Sequence, residues 1–288
     1  MKKWFFVLAA LAAIIIVGQL IQEKEQGITP RSNTDFFMDR NDGVEQMTFD
    51  PGQVHSGLLL LINGDYPLAK KGTAQDLVTM TAVEAADSGF RLENNNITLS
   101  KEVLQALEEM FMAARSDGIN GFLLTSGYRS LEQQAKLYEQ SGSDYALPAG
   151  YSEHNSGLAV DISSVNGKME SAAEGEWLRQ HAAEYGFILR YPPNKQHITG
   201  IQYEPWHFRY VGKPHSIIMT ENDWVLEEYV QYIASNPHLE VNVQGRKFFI
   251  DYYDYEIDEF IKLAAGNDFI ISGDNVRGLI VTSWKEEK

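Results

Sequence analysis

The stretch SEHNSGLAVD, Ser152 to Asp161, decides the reading of this chain, together with EPWH, Glu204 to His207. The two segments supply two imidazoles (His154 and His207), a carboxylate set in an apolar run (Asp161) and a spare carboxylate (Glu204). That is the parts list of a hydrolytic zinc site with three protein ligands and an open fourth position. Within Leu158 to Ile162, a strand-like run, Asp161 is the only charge. Leaving a buried carboxylate bare is costly, so Asp161 is expected to be paired, hydrogen-bonded or metal-bound. His154 reaches the same point only if the chain turns between them, which Asn155-Ser156-Gly157 permits.

Working outward, EPWHFRYVG reads as a strand in which Trp206, Phe208 and Tyr210 face the core while His207 and Arg209 face the other way. Pro205 excludes a helix interior here, so this is not the helical HExxH arrangement. Glu204, at the end of a polar loop over 192–203, is free to sit beside the metal as a base.

The flanking elements follow from pattern. Ser56 to Ile62 (SGLLLLI), closed by Asn63-Gly64-Asp65, is expected to be a buried strand. Apolar residues at 103, 104, 107, 110, 111 and 114 predict a helix over 101–117, capped by Ser100 and stopped by Gly118. Phe122 to Ser126 follows as a strand, and Arg129 sits where it passes into a helix opened by the capping box Ser130 with Gln133. A helix over 176–185 ends at Gly186, with His181 packed on its apolar face. Phe187 to Tyr191 is the next strand. A helix capped by Asn222 or Asp223 runs through Ile233, and the alternation after Leu239, with turns at Gln244-Gly245 and SGDN (Ser272 to Asn275), predicts β-hairpins.

Composition places the site outside a cell. Trp4 to Ile21 carries no charge and as a helix spans roughly 27 Å, nearly a bilayer core. Lys2 and Lys3 precede it and favour a cytoplasmic N-terminus. Residues 1–21 are therefore expected to be a membrane anchor, a cleaved signal peptide being the alternative. Residues 22–55 read as a solvated tether, 56–235 as the catalytic domain and 236–288 as a small β-rich appendage. The chain has no cysteine, which excludes disulfides and thiolate metal sites and suits an exported bacterial protein. With 24 Lys+Arg against 40 Asp+Glu, the net charge of -16 argues against nucleic acid or anionic lipid as a partner. No protein partner is evident.

Other chemistries find little support. His55, His197, His215 and His238 are expected at the surface. No serine has a lysine three residues later and there is no GxSxG, so neither common serine-nucleophile pattern is present.

The segments SGYRS (126–130), AGYSEHNSGLAVD, GFILRYP and GIQYEPWHFRYVG together resemble the VanY-type D-alanyl-D-alanine carboxypeptidases, zinc enzymes grouped with the VanX-type D,D-dipeptidases. The resemblance runs along almost the whole chain. It implies an α+β fold, a compact domain with helices packed on a small antiparallel sheet. It also implies one Zn2+ per chain held by His154, Asp161 and His207, with Glu204 as the catalytic base. Arg129 would hold the substrate and steady the oxyanion, with Ser152 and Gln134 as further candidates for substrate contact. The implied substrate is a peptidoglycan stem ending in D-Ala-D-Ala. The alternatives are an L,D-carboxypeptidase on tetrapeptide stems, a dipeptidase on free D-Ala-D-Ala, or a zinc-stabilised wall-binding module without turnover. A purely structural zinc needs four ligands and no spare base, so Glu204 speaks against the last.

Overall fold

The computed structural model describes residues 28–31, 43–48, 50–143 and 145–285. The expected anchor over 1–21 lies outside these, and among the described residues no helix is long and apolar enough to cross a membrane.

The centre is a five-stranded sheet in the order Arg91–Leu92, Phe122–Ser126, Ala159–Ser164, His207–Tyr210, Phe187–Leu189. Its neighbours are antiparallel except the short Arg91–Leu92 pair, which is parallel. The register sets Asp161 opposite His207, Val160 opposite Phe208 and Ala159 opposite Arg209. Side chains alternate across a sheet, so Val160, Ile162 and Phe208 join Leu107, Phe111, Phe122 and Trp177 in one core, while Asp161, His207 and Arg209 share the opposite face. That core is supplied by the predicted helix, observed as Lys101–Ser116, and by Ala173–His181. Ser100 takes the N-cap position of the first, as expected, but its side chain makes no capping bond. Asp76 Oδ2 takes that role, accepting from Ser100 Oγ and the Glu102 N–H.

A second sheet, Thr29–Pro30, His238–Val243, Arg246–Asp254, Gly278–Trp284, Asp268–Gly273, is antiparallel throughout. The predicted turn is there, with Gln244 and Gly245 both at positive φ. This sheet shares a core with the rest of the chain. Leu239, Val241, Ile250 and Ile280 pack with Leu59, Leu61 and Ile188 and with Tyr229 and Ile233 of the helix Leu226–Ser235.

Several expectations need correction. Part of the supposed tether is built into the fold: Thr29–Pro30 pairs with His238–Val243, and Val44–Thr48 pairs with Phe260–Ala264. Segment 56–62, buried from Leu59 to Ile62, is not a strand, because its backbone groups are met by side chains and a turn rather than by a neighbouring strand. Helix His215–Glu221 was not foreseen. It buries Ile217, Ile218 and Met219, and it takes His215 from the expected surface to a site 1% exposed. Asn222 consequently ends that helix and Asp223 turns at positive φ, so the next helix begins at Leu226 behind Val225. Trp206 precedes its strand and is 39% exposed rather than in the core. The loop over 192–203 contains one short helix, Gln196–Thr199. The helix predicted over 176–185 ends as a 3-10 turn, Ala182–Tyr185, before Gly186. His181 is only half-buried, stacked on Trp177 and paired with Glu184.

Candidate active site

The residues singled out from SEHNSGLAVD and EPWH meet at one end of the central sheet. Asp161 and His207 are brought together by strand register alone. His154 arrives from the 3-10 turn Glu153–Ser156, which ends at Gly157 in the left-handed region (φ 80°). A Cβ at Gly157 would lie 2.6 Å from a Leu77 methyl, so this reversal is open to glycine and little else.

One donor atom from each of His154, Asp161 and His207 falls within 4.8 Å of the others. His154 Nε2 lies 3.3 Å from Asp161 Oδ2, and His207 Nδ1 lies 3.0 Å from Asp161 Oδ1. Each ring turns its remaining nitrogen to a fixed acceptor. His154 Nδ1 is 2.7 Å from the Gly127 carbonyl and His207 Nε2 is 3.3 Å from Glu153 Oε2. Such outer partners hold a histidine in the tautomer and orientation a metal needs, so the donor set fits a tetrahedral Zn2+ with an open position.

Burial sets the charges. It lowers the His154 pKa, keeping that ring neutral although Asp161 pulls the other way. Burial also opposes a charge on His207, but hydrogen bonds to Asp161 and Glu153 outweigh it and raise the pKa to about 9. The negative potential that draws a proton to His207 favours a cation at the same place, with which the proton would compete. Asp161 is held well below the usual carboxylate range: burial opposes its charge, but its histidine partners prevail.

Glu204 is half-buried beside this cluster, one carboxylate oxygen 3.8 Å from His207 Nδ1. Burial raises its pKa, the direction that suits a group accepting and returning a proton. Arg129 is close enough to feel both Asp161 and Glu204, and burial lowers its pKa from a high starting value. Its backbone N–H donates to the His154 carbonyl and its Nη1 to Gln134 Oε1 at 2.7 Å. Gln134 is buried with its other end donating to the Leu147 carbonyl, so its amide is engaged in aiming the guanidinium. Ser152 is buried at the start of the 3-10 turn and makes no side-chain capping bond there.

Reading the sequence missed what lies behind His154, Asp161 and His207. Glu153 is 1% exposed and receives Arg190 Nε and Arg209 Nη1, each at 2.8 Å, on one oxygen. Arg190 also makes a bidentate pair with Glu227, at 2.8 and 2.7 Å. Burial opposes the charge on Glu153, but the two guanidiniums outweigh it and keep the pKa well below normal. The signal was available: Arg190 and Arg209 occupy strand-like apolar runs, and a buried arginine requires a buried carboxylate.

Comparison with known proteins places the chain in a family. Residues 96–213 match the family model described as VanY, D-alanyl-D-alanine carboxypeptidase. The chain is 42% identical over 291 residues to a D-alanyl-D-alanine carboxypeptidase of Enterococcus faecium, covering 98% of this chain and 96% of that one. Among solved structures it is similar to the vancomycin-resistance D,D-dipeptidase VanXYg in complex with a D-Ala-D-Ala phosphinate analogue. There the TM-score is 0.73 at 31% identity, over 84% of this chain and all of the other. It is also similar to a mutant of the D,D-pentapeptidase VanY from a VanB-type resistance cassette in complex with Zn(II), with TM-score 0.50 and 29% identity over 60% of this chain and 98% of the other. With near-complete coverage at that first level of identity, the chain belongs to the VanY family of D-alanyl-D-alanine carboxypeptidases.

Proposed function

We propose that this enzyme removes the terminal D-alanine from peptidoglycan pentapeptide stems with one Zn2+ held by His154 Nε2, Asp161 and His207 Nδ1. The observation that carries this reading is the convergence of those three donors, both imidazoles backed by fixed acceptors, beside a half-buried carboxylate and an arginine. When bound, zinc supplies Lewis acidity, acidifying water and polarising the scissile carbonyl. Glu204 accepts the proton of the attacking water and delivers it to the leaving amine, a task favoured by its raised pKa. Arg129 remains a cation and stabilises the negative charge that gathers on the carbonyl oxygen. Gln134 holds the guanidinium in place through its Oε1, so its contribution is to aim Arg129 rather than to touch the stem.

Residues 1–21 carry the catalytic domain on the outer face of a bacterial membrane in this reading, where stem peptides are exposed. Trimming those stems removes the D-Ala-D-Ala terminus that glycopeptide antibiotics bind, so the role is wall remodelling or glycopeptide resistance.

Mass spectrometry of synthetic pentapeptide and tetrapeptide stems and of free D-Ala-D-Ala, each incubated with zinc-loaded protein, tests the substrate. Loss of one alanine from the pentapeptide alone is expected. Preference for the tetrapeptide or for the free dipeptide would overturn the D,D-carboxypeptidase reading. Cell fractionation with N-terminal sequencing tests the anchor, which a secreted product beginning near residue 20 would exclude.

A further inference from the structure

The family match ends at residue 213, yet the most heavily bonded turn of the C-terminal sheet lies against the catalytic unit. We propose that the turn Ser272–Asn275 is a positioning element for His207, acting through segment Leu58–Leu61, Arg209 and Glu153. This rests on His207 being a metal ligand, as proposed above.

The path can be followed bond by bond. Segment 58–61 bonds in two directions. Toward the turn, the Leu59 N–H donates to Ser272 Oγ at 2.8 Å and the Leu61 N–H to the Asp274 carbonyl at 3.0 Å, while Asn275 Nδ2 donates to the Leu61 carbonyl at 3.0 Å. Toward the active site, the Leu58 and Leu60 carbonyls accept from Arg209 Nη2 at 2.9 and 3.1 Å. Arg209 Nη1 then meets Glu153 Oε1, whose other oxygen receives His207 Nε2.

Both ends of this path are fixed. Asp274 Oδ1 accepts the N–H groups of Val276, Arg277 and Gly278, and Oδ2 accepts the Tyr252 hydroxyl. Asn275 Oδ1 also accepts from His55 Nδ1 at 2.8 Å, and the residue holds a positive φ of 63°. A second arm returns to the chain two residues beyond this segment, because Glu227, paired with Arg190, accepts from Asn63 Nδ2 at 3.1 Å. The inner members of the path are buried, namely Leu59, Leu60 and Leu61, Arg209 at 0% and Glu153 at 1%, while Leu58 is partly buried. A displacement of segment 58–61 leaves the Leu58 and Leu60 carbonyls unmet and Arg209 Nη2 without its acceptors.

The test is a set of variants of the full chain, Glu153→Gln, Arg209→Lys, Asn275→Ala and Ser272→Ala, with Phe269→Ala as a control in the same sheet. Zinc affinity is measured by chelator competition, melting is followed on the zinc-free protein, and the visible bands of the cobalt(II)-substituted protein report ligand arrangement. Glu153→Gln is expected to weaken zinc by roughly 10- to 100-fold, as outer-shell substitutions do. Asn275→Ala should shift the cobalt bands in the same direction and weaken zinc by about 3- to 10-fold, with little added loss in the Glu153→Gln background, since both act on one path. Ser272→Ala removes the bond to the Leu59 N–H, along with a local one to the Gly273 carbonyl, and serves if Asn275→Ala does not fold. Lowered melting with zinc affinity and cobalt bands as in wild type would reduce the turn to packing and overturn the proposal. Wild-type protein that bound no zinc would overturn the metal reading, and this inference with it.

Discussion

Asp161 and His207 are direct cross-strand partners, and one hydrogen-bonding distance of 3.0 Å separates Asp161 Oδ1 from His207 Nδ1. Two of the three candidate ligands are thereby placed by sheet register, and only His154 depends on a turn. A one-residue slip would move His207 to the core face, so the site is as stable as the pairing of Ala159–Ser164 with His207–Tyr210.

Ligand and base should separate cleanly under mutation. Ala at His154, Asp161 or His207 is expected to abolish stoichiometric zinc binding. Glu204→Gln, whose parent side chain is 3.8 Å from His207 Nδ1, should keep zinc and lose about 10²- to 10⁴-fold in kcat. Metal analysis beside steady-state kinetics decides it: loss of zinc from the Glu204 variant would exchange the roles of ligand and base.

Arg129 and Gln134 should act as a pair. Arg129→Ala is expected to keep zinc and lower kcat/KM by about 10²- to 10³-fold, the usual effect of removing an oxyanion donor, with Lys a poor replacement because it lacks the planar fork. Gln134→Ala leaves the guanidinium present but without its 2.7 Å acceptor, so a smaller loss follows, nearly absent in the Arg129→Ala background. Additive losses would mean that Gln134 touches the substrate itself.

The legible parts of this protein were those governed by local rules. The helix Lys101–Ser116 follows from a stripe of apolar residues, the capping box from Ser130 and Gln133, and the C-terminal turn from Gln244-Gly245. His154, Asp161 and His207 stood out because each is a polar residue where the pattern expects none or where a motif surrounds it. What was not legible depends on distant chain. Segment 56–62 has the composition of a strand, and partners far away in sequence, among them Ser272, Asp274, Asn275 and Arg209, make it something else. Helix His215–Glu221 is too short to show a period, and it hid the burial of His215. Glu153 looked like a motif spacer until the folded chain set Arg190 and Arg209 against it.

Release of D-alanine from a pentapeptide stem should stop with phenanthroline, return when zinc is added back, and continue in penicillin. Penicillin traps an acylated serine, and no serine in this chain has a lysine three residues later. An amino-acid release assay with each inhibitor checks this. Release that resists the chelator but yields to penicillin would exclude the metal mechanism.

Acid stability should depend on a histidine outside the candidate ligand cluster. His215 is buried with Nδ1 2.7 Å from the Tyr229 hydroxyl and Nε2 2.9 Å from Thr282 Oγ1, joining two helices to the C-terminal sheet. Burial drives its pKa down to about 3, against an ordinary value of 6.5. The folded ring is therefore neutral where the unfolded ring is protonated, and the unfolded state binds more protons throughout that interval. Stability from this residue is complete above about pH 6.5 and is lost as pH falls toward about 3, amounting to about 2 kcal/mol by about pH 5. Urea unfolding of wild type and His215→Gln at neutral pH and at about pH 5 measures it. The variant should be weaker at neutral pH, but its difference from wild type should shrink by about 2 kcal/mol on acidification. Parallel losses in the two proteins would show that His215 does not stay neutral in the fold.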